Sequence, residues 1–276
     1  MGDVSMRNRK VSILGCGWSG LPLAANLAKD GYTVKGSVTS PGRMATLAMK
    51  GVIPFRVVTG MELEADRLDD FLRADAIVVT LPPPRLEGIP DYHLKAHSAI
   101  VKAIRSSDIQ TVVLYSSTSV YPEANKIVVE GDAQRILSSH SGVAMIDIER
   151  IYNGLTDRRV AVLRFGGLIG PDRHPGRFMQ HRTVITQSEA PVNVVHLDDV
   201  VGATRFVIEH ENASGEYNVC APETSIRRQF YTKAISALGS PVPAFDEEAQ
   251  PWKKVSSNRI QEAGYRFIHH DPCDWL

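Results

Sequence analysis

Three glycines near the start of the sequence have the spacing of a phosphate-binding turn. Gly15, Gly17 and Gly20 form the pattern G-x-G-x-x-G between an apolar segment, Val11–Leu14, and a helical pattern, Leu21–Lys29. In such a strand–turn–helix, the first glycine permits a tight turn, the second lets a pyrophosphate approach the backbone, and the third allows close helix–strand packing. The N–H groups at the helix N-terminus attract the phosphates. The pattern therefore predicts a dinucleotide site, and the alternative is a glycine-rich turn without a ligand.

The residues after the second predicted strand, Thr33–Val38, favour NADP over NAD. A carboxylate about 20 residues beyond the glycines would bind the ribose 2′-hydroxyl of NAD, but no Asp or Glu occurs between Asp30 and Glu62. Thr39 and Arg43 occupy this region instead, and a guanidinium suits a 2′-phosphate through charge-assisted hydrogen bonds. NAD is the alternative cofactor if Arg43 is only a solvated residue at the start of a helix.

The fourth predicted strand, Ala76–Leu81, runs into prolines that cannot continue a β-ladder. We expect the chain at this edge of the sheet to pack against the ribose and adenine of the cofactor. The residues predicted to bind the cofactor are Gly15, Gly17, Trp18, Ser19, Gly20, Thr39, Arg43, Leu81, Pro82 and Pro83.

These residues need a scaffold, and the sequence indicates one because short apolar runs alternate with helical patterns. The predicted strands are Val11–Leu14, Thr33–Val38, Pro54–Val58, Ala76–Leu81, Thr111–Ser116 and Val160–Phe165, followed later by Val192–Val195 and Glu216–Val219. The predicted helices are Leu21–Lys29, Met44–Lys50, Leu68–Leu72, Tyr92–Arg105, Gly142–Leu155 and one from Asp198 or Asp199 to Glu209. This order predicts an α/β fold with a doubly wound parallel sheet, which places the loops after the strands at one edge.

Composition narrows the class of protein. The 276 residues carry 31 Lys and Arg against 31 Asp and Glu, with no basic block, so we expect neither a nucleic acid nor a membrane as partner. No apolar stretch reaches the roughly 18 residues of a spanning helix, and residues 1–9 lack the apolar core of a secretion signal. Three scattered cysteines favour a reducing, cytoplasmic location over a disulfide framework. We expect a flexible extension over residues 1–9, a dinucleotide-binding domain over 10–165, and a region over 166–276 that completes the sheet and caps the substrate.

The fifth predicted strand runs into a serine-rich turn that contains Ser117 and ends in Val-Tyr121. With the glycine motif, this turn resembles the extended, epimerase-like branch of the short-chain dehydrogenase/reductase superfamily. The resemblance continues in order along nearly the whole chain, through Val162-Leu-Arg164, Gly170-Pro-Asp-Arg173 and Val195-His-Leu-Asp198-Asp199. Further segments, among them Gly15–Leu23 and Tyr217–Pro222, look like the YeeZ-type proteins, an atypical subgroup.

The resemblance implies a Rossmann-type fold with a small C-terminal α/β substrate subdomain, and it implies a role for Ser117. In the superfamily, a serine or threonine of this turn hydrogen-bonds the substrate oxygen, and Ser117 matches that position. The two long helices, Tyr92–Arg105 and Gly142–Leu155, are the elements that pair into a dimer in related folds, so a homodimer is one expected assembly.

The sequence departs from the superfamily at the Tyr-x-x-x-Lys pair that supplies the proton. A lysine ammonium beside the phenol lowers its pKa from about 10 into the working range. Alignment on Glu149 places Ser141 at the tyrosine position and Met145 at the lysine position, and no tyrosine in the chain has a lysine four residues later. Tyr121 and His140 are the nearest replacements, although packing of Tyr121 and a solvated loop position for His140 are the stronger interpretations.

A loop rich in glycine, proline and arginine follows the sixth strand. Arg173, His174 and Arg177 could present cations to an anionic small-molecule substrate, since arginine suits planar oxyanions. A surface loop with solvated charges is the equal alternative. His93 and His97 have the i, i+4 spacing of metal ligands, but no supporting carboxylate or cysteine is nearby in the sequence, so we predict no metal site.

Taken together, the sequence predicts an NAD(P)-binding oxidoreductase-like protein that reduces a small carbonyl, imine or sugar-nucleotide substrate, with Ser117 and Tyr121 as the candidate reaction residues. Two alternatives stay open. One is a non-catalytic NADP-binding sensor or partner module, which the missing Tyr–Lys pair favours. The other is a nucleotide-sugar epimerase, although such enzymes usually need the same tyrosine.

Overall fold

The computed structural model describes residues 9–81, 90–135, 139–248 and 250–276. The chain forms two compact units. The first comprises Met1–Ser117, His140–Leu163 and Thr204–Glu216, and the second comprises Thr118–Ser139, Arg164–Ala203 and Tyr217–Leu276. The units are therefore interleaved along the sequence. The predicted division into residues 1–9, 10–165 and 166–276 stays a prediction.

The strands of the described chain, in order, are β1 (Lys10–Leu14), β2 (Thr33–Val38), β3 (Ile53–Thr59), β4 (Leu63–Ala65), β5 (Ala76–Val79), β6 (Thr111–Ser117), β7 (Lys126–Val128), β8 (Arg159–Phe165), β9 (Gly167–Ile169), β10 (Val184–Ile185), β11 (Val194–His196), β12 (Gly215–Val219), β13 (Ala244–Phe245) and β14 (Lys253–Val255). Eight of these strands form one sheet in the order β12-β8-β6-β5-β1-β2-β3-β4. β1 pairs in parallel with both β2 and β5, and β5 pairs in parallel with β6. The short β4 is antiparallel to β3.

The helices of the described chain are α1 (Gly20–Lys29), α2 (Met44–Ala48), α3 (Leu68–Leu72), α4 (Pro90–Arg105), α5 (His140–Asn153), α6 (Pro175–Met179), α7 (Leu197–Glu209), α8 (Arg227–Ser236) and α9 (Asn258–Glu262), with 3-10 turns at Pro41–Arg43, Thr118–Val120 and Glu130–Asp132. The first five of them lie between strands of the eight-stranded sheet in chain order. None of the helices in the described part of the chain is long and apolar enough to cross a membrane.

The alternation of strands and helices confirms the predicted doubly wound parallel sheet. β5 is buried along its whole length and β6 at all but its last residue, which is the pattern of a strand covered on both faces. Every strand predicted up to Phe165 is present, with ends that differ by one or two residues. Arg9, placed by the sequence in a flexible extension, donates a hydrogen bond to the Ile208 carbonyl at 3.0 Å, and residues 1–8 lie outside the described part.

The second unit contains short parallel strand pairs, β9 with β11, β10 with β13, and β7 with β14. Its core includes Ile169, Val192, Val194 and Phe230, and the C-terminal residues pack against that cluster. Strands of two or three residues are too short to show an alternation of apolar and polar residues. Most of these short strands were therefore not predicted from the sequence.

Candidate cofactor and reaction site

The glycine turn after β1 is held by contacts that require glycine at two of its three positions. Gly15 has φ +107°, a left-handed conformation, and a Cβ there would lie 2.6 Å from Thr80 Oγ1. A Cβ on Gly20 would collide with the Gly15 carbonyl oxygen. Thr80 donates from its hydroxyl to that same carbonyl, which ties the end of β5 to the turn. The first and third glycines are therefore explained by the packing of the turn itself.

Gly17 has no such explanation within the protein. A Cβ placed on it would meet no heavy atom within 4 Å, and its φ is not in the left-handed region. The residue is exposed, and its N–H donates to the Gly15 carbonyl at 2.8 Å. Because neither packing nor backbone conformation calls for glycine here, the missing side chain leaves open space directly above the turn.

A cavity of about 180 Å³ lies over this turn in the first unit. Its lining residues are Leu14, Gly15, Cys16, Gly17, Ser37, Val38, Thr39, Arg43, Val57, Thr59 and Leu81. None of these lining residues, all within the described part of the chain, is acidic. The cavity is therefore bounded by the ends of β1 and β2, by backbone groups of the turn, and by one cation.

Hydrogen bonds across the cavity floor fix the geometry of its polar groups. The Gly15 N–H donates to the Ser37 hydroxyl at 2.9 Å, and the Cys16 N–H donates to the Ser37 carbonyl at 2.8 Å. The exposed Arg43 donates from Nη2 to the Cys16 carbonyl at 3.2 Å, so its guanidinium already lies beside the glycine turn. Burial raises the pKa of the Cys16 thiol to about 12, which makes this cysteine an inert packing residue.

The predicted cofactor-binding residues are distributed as follows. Gly15, Gly17, Thr39, Arg43 and Leu81 line the cavity. Gly20 begins α1, while Trp18 and the N-cap residue Ser19 are half-buried in the turn. Pro82 and Pro83 lie outside the described residues. Ser37 and Thr80 also contribute to the site, but a serine inside a strand and a threonine just after one carry no sequence signal that indicates such a role.

Ser117 is the last residue of β6 and is half-buried. Since β6, β5 and β1 are parallel neighbours, Ser117 lies at the same carboxyl edge of the sheet as the glycine turn. The preceding residue, Ser116, is buried and donates to Glu149 Oε1 of α5 at 2.5 Å. This bond anchors the end of β6 to α5 and so fixes the start of the serine-rich turn.

The positions of the usual proton-donating pair are on α5. Ser141 is half-buried, and Met145 is buried with 2% of its surface exposed. The side chain of His140, the other candidate donor on this helix, lies outside the described part. The described part of α5 thus presents a hydroxyl and a thioether in place of a phenol and an ammonium.

Tyr121 belongs to the second unit and is 1% exposed. Its hydroxyl donates to Asn218 Oδ1 at 2.6 Å and accepts from Arg164 Nη1 at 2.8 Å. Burial raises the pKa of the Tyr121 phenol to about 12, although the Arg164 cation lowers it in part. A buried phenol that both donates and accepts a hydrogen bond within the protein is a poor proton donor. The role of Tyr121 in the reaction stays a prediction, and its surroundings argue against it.

The predicted anion-binding loop is also in the second unit. The His174 side chain accepts from the Gly176 N–H at 3.2 Å, which caps the short helix α6. Arg173 donates from Nε to the Leu168 carbonyl at 3.3 Å and lies over the Phe178 ring. Arg177 is exposed. His174 therefore has a structural partner of its own, while Arg177 faces solvent, and substrate binding by the three stays a prediction.

Comparisons with known proteins bear on this site. No family model matches the chain. The protein YeeZ of Escherichia coli K12 is 34% identical over 269 residues, which cover 96% of this chain and 97% of YeeZ. The structure of UDP-glucuronic acid 4-epimerase from Bacillus cereus in complex with NAD superposes with a TM-score of 0.77 at 18% identity, covering 96% of this chain and 95% of that one. A short-chain dehydrogenase/reductase superfamily protein from Agrobacterium tumefaciens with bound NAD has a TM-score of 0.75 at 18% identity, covering 94% and 92%.

Proposed function

Since the chain belongs to the YeeZ family and has the fold of the extended short-chain dehydrogenase/reductases, we propose that it binds a nicotinamide dinucleotide, NADP in preference to NAD, and reduces a small carbonyl, imine or sugar-nucleotide substrate. The observation that carries the proposal is the open space above Gly17, next to a cavity at the carboxyl edge of the sheet. In doubly wound sheets, ligands bind at this edge, near the point where the strand order reverses.

Binding of the pyrophosphate is assigned to backbone groups rather than to side chains. The turn from Gly15 to Gly20 leads into the N-terminus of α1, where the helix dipole adds partial positive charge that favours a phosphate. The two NAD complexes described above have the same fold as this chain, which supports a dinucleotide as the ligand. Their low identity means that the fold, and not the cofactor preference, is the shared property.

The preference for NADP rests on the charge at the end of β2. Arg43 and Thr39 line the cavity, and no carboxylate stands among the described lining residues to bind a free 2′-hydroxyl. A hydrogen bond to a charged group contributes about 1.5–3 kcal/mol, which corresponds to roughly tenfold to a hundredfold in affinity. We therefore expect Arg43→Ala to weaken NADPH binding by about that factor and to leave NADH binding nearly unchanged.

Isothermal titration of both cofactors into the wild type and the variant measures this difference. Lys50→Ala is the matched control, because it removes an exposed cation just after α2 that is not among the cavity residues. Equal losses for NADPH and NADH in Arg43→Ala, or no loss for either, would contradict the assignment of the 2′-phosphate to Arg43.

The bound cofactor would supply a hydride, and the chain's own residues would orient the acceptor. Ser117, the last residue of β6 at the same sheet edge, would donate a hydrogen bond to a substrate oxygen or nitrogen. Binding of an anionic group by Arg173 and Arg177 of the second unit stays a separate prediction, while His174 is held as the cap of α6. Turnover of NADPH with a panel of carbonyl, imine and sugar-nucleotide compounds, compared between the wild type and Ser117→Ala, tests this part of the proposal.

A non-catalytic NADP-binding protein is the second candidate, and the burial of Met145 and Tyr121 favours it. These positions are committed to packing and hydrogen bonding, so neither supplies the acid that the related enzymes use. Saturable NADPH binding without turnover of any compound in the panel would support this candidate. Turnover that is lost in Ser117→Ala would support the reductase instead.

A further inference from the structure

Two histidines and one aspartate meet at the start of α7 in the second unit. Asp198 Oδ2 lies 3.2 Å from His196 Nδ1 and 2.9 Å from His269 Nε2. The candidate donor atoms of the three residues all lie within 4.8 Å of one another. His269 is 71 residues from Asp198 in the sequence, so no local spacing pattern could have indicated this cluster.

The two separations to Asp198 match those between ligands of one metal ion. Metal–ligand distances of about 2.0–2.2 Å with angles of about 90° to 109° put neighbouring ligand atoms about 2.8–3.6 Å apart. Imidazole nitrogens suit Zn²⁺, Cu²⁺ and Ni²⁺, and a carboxylate oxygen completes a common three-residue set. We propose that His196, Asp198 and His269 form a binding site for a divalent transition metal of the zinc class.

Two groups of Asp198 meet the same ring nitrogen of His196. The Asp198 N–H donates to His196 Nδ1 at 3.2 Å, and Asp198 Oδ2 lies 3.2 Å from that nitrogen. A metal ion held by Nδ1 and Oδ2 would take the place of this backbone hydrogen bond.

Neighbouring residues hold the proposed ligands in place. Asp199, which is fully buried, accepts from the His269 N–H at 3.0 Å, from the Ile268 N–H at 2.7 Å and from the Tyr265 hydroxyl at 2.8 Å. These bonds fix the backbone that carries His269. The Trp275 ring packs against His196 with a centroid distance of 5.1 Å. Such outer contacts are what orient ligands in established metal sites.

Exposure indicates how a metal would enter and what binding would do. The side chain of His196 is 4% exposed, that of His269 is 22% exposed and that of Asp198 is 55% exposed, so the cluster opens to solvent on the aspartate side. Three protein ligands leave at least one coordination position for water. Binding would join the segment around His269 to the start of α7 and would stabilise the folded second unit by mass action.

The test uses the full chain without an affinity tag, freed of metal with a chelator. Titration with Zn²⁺ should give one site per chain, and Co²⁺ should give visible ligand-field absorption that Zn²⁺ displaces. His269→Gln and Asp198→Asn should each weaken Zn²⁺ binding by at least tenfold. Both side chains are partly exposed, so the variants should fold, and thermal unfolding without metal checks this.

His270→Gln is the matched control, since this exposed neighbour of His269 is not part of the cluster. It should retain both the stoichiometry and the affinity of the wild type. The proposal is overturned if the wild type shows no saturable one-to-one binding, if His269→Gln binds Zn²⁺ as tightly as the wild type, or if His270→Gln loses binding to the same extent as His269→Gln.

Discussion

Substitution of Gly17 by alanine tests whether this glycine is needed for ligand binding or for the fold of the turn. Alanine fits the backbone at this position because φ is not left-handed, and its methyl group would meet no protein atom within 4 Å. Loss of glycine freedom in the unfolded chain should leave the free energy of unfolding unchanged or raise it by up to about 1 kcal/mol. The same methyl group would occupy the space where a pyrophosphate must approach the N–H groups of the turn.

The cost to binding follows from the crowding of one methyl group. Overpacking by an extra carbon costs about 1–3 kcal/mol where the surroundings cannot move, so the affinity for NADPH should fall by roughly tenfold to a hundredfold. The Gly15 carbonyl and the start of α1 hold the turn, and they leave little room for a shift. Titration of NADPH into wild type and Gly17→Ala measures the affinity, and urea denaturation of the same samples measures the stability.

Gly20→Ala is the control variant, because it should lower the stability of the protein, which Gly17→Ala should not. Its methyl group would collide with the Gly15 carbonyl oxygen, so the free energy of unfolding should fall by about 1–3 kcal/mol. Wild-type affinity for NADPH in a folded Gly17→Ala variant would refute the argument, because the open space would then not be the phosphate site. A loss of stability in Gly17→Ala equal to that in Gly20→Ala would refute the structural half of it.

Two further predictions concern buried titratable groups. Burial lowers the pKa of His97 to about 4, and its Nδ1 lies 2.9 Å from the Tyr152 hydroxyl. Below about pH 6.5, His97 is protonated in the unfolded chain but stays neutral in the folded chain down to about pH 4. Up to about 3 kcal/mol of the free energy of unfolding should therefore be lost as the pH falls through this range. The free energy of unfolding of His97→Gln, measured by urea denaturation, should depend less on pH. Tyr121→Phe removes the hydroxyl that bridges Asn218 and Arg164, and it should lower the free energy of unfolding by about 1–3 kcal/mol; a variant that keeps full stability and loses turnover would instead support a direct role in the reaction.

The main sheet could be predicted from the sequence because its strands are buried on both faces. Continuous apolar runs such as Ala76–Val79 and Thr111–Leu114, separated by helical patterns, are difficult to interpret in any other way. The second unit could not be predicted in the same detail. Its strand pairs, such as β9 with β11, form between short segments, and their pairing is decided by tertiary contacts rather than by local pattern.

The parts of the candidate site that could be predicted are those in which glycine spacing or the end of a predicted strand indicates a loop. The three glycines, Arg43 and Ser117 could be read from spacing and from the resemblance to a family. Contacts between distant segments could not be read, since nothing in the sequence joins Thr80 to the Gly15 carbonyl or His269 to Asp198. Such contacts depend on which strand ends and loops the fold brings together.

Among the described residues, the positions that match the usual acid pair carry Ser141 and Met145, and this bears on the chemistry proposed for the site. Burial raises the pKa of every described tyrosine whose pKa is displaced, namely Tyr32, Tyr115, Tyr121, Tyr152, Tyr231 and Tyr265. None of these six phenols is therefore a better proton donor than a free phenol. Met145, at the position of the usual lysine, has no charge with which to lower the pKa of a phenol. Addition of a hydride to a carbonyl creates an alkoxide that needs a proton, whereas addition to a protonated imine gives the neutral amine with no further proton. Of the three proposed substrate classes, the imine is the one whose reduction this environment suits best.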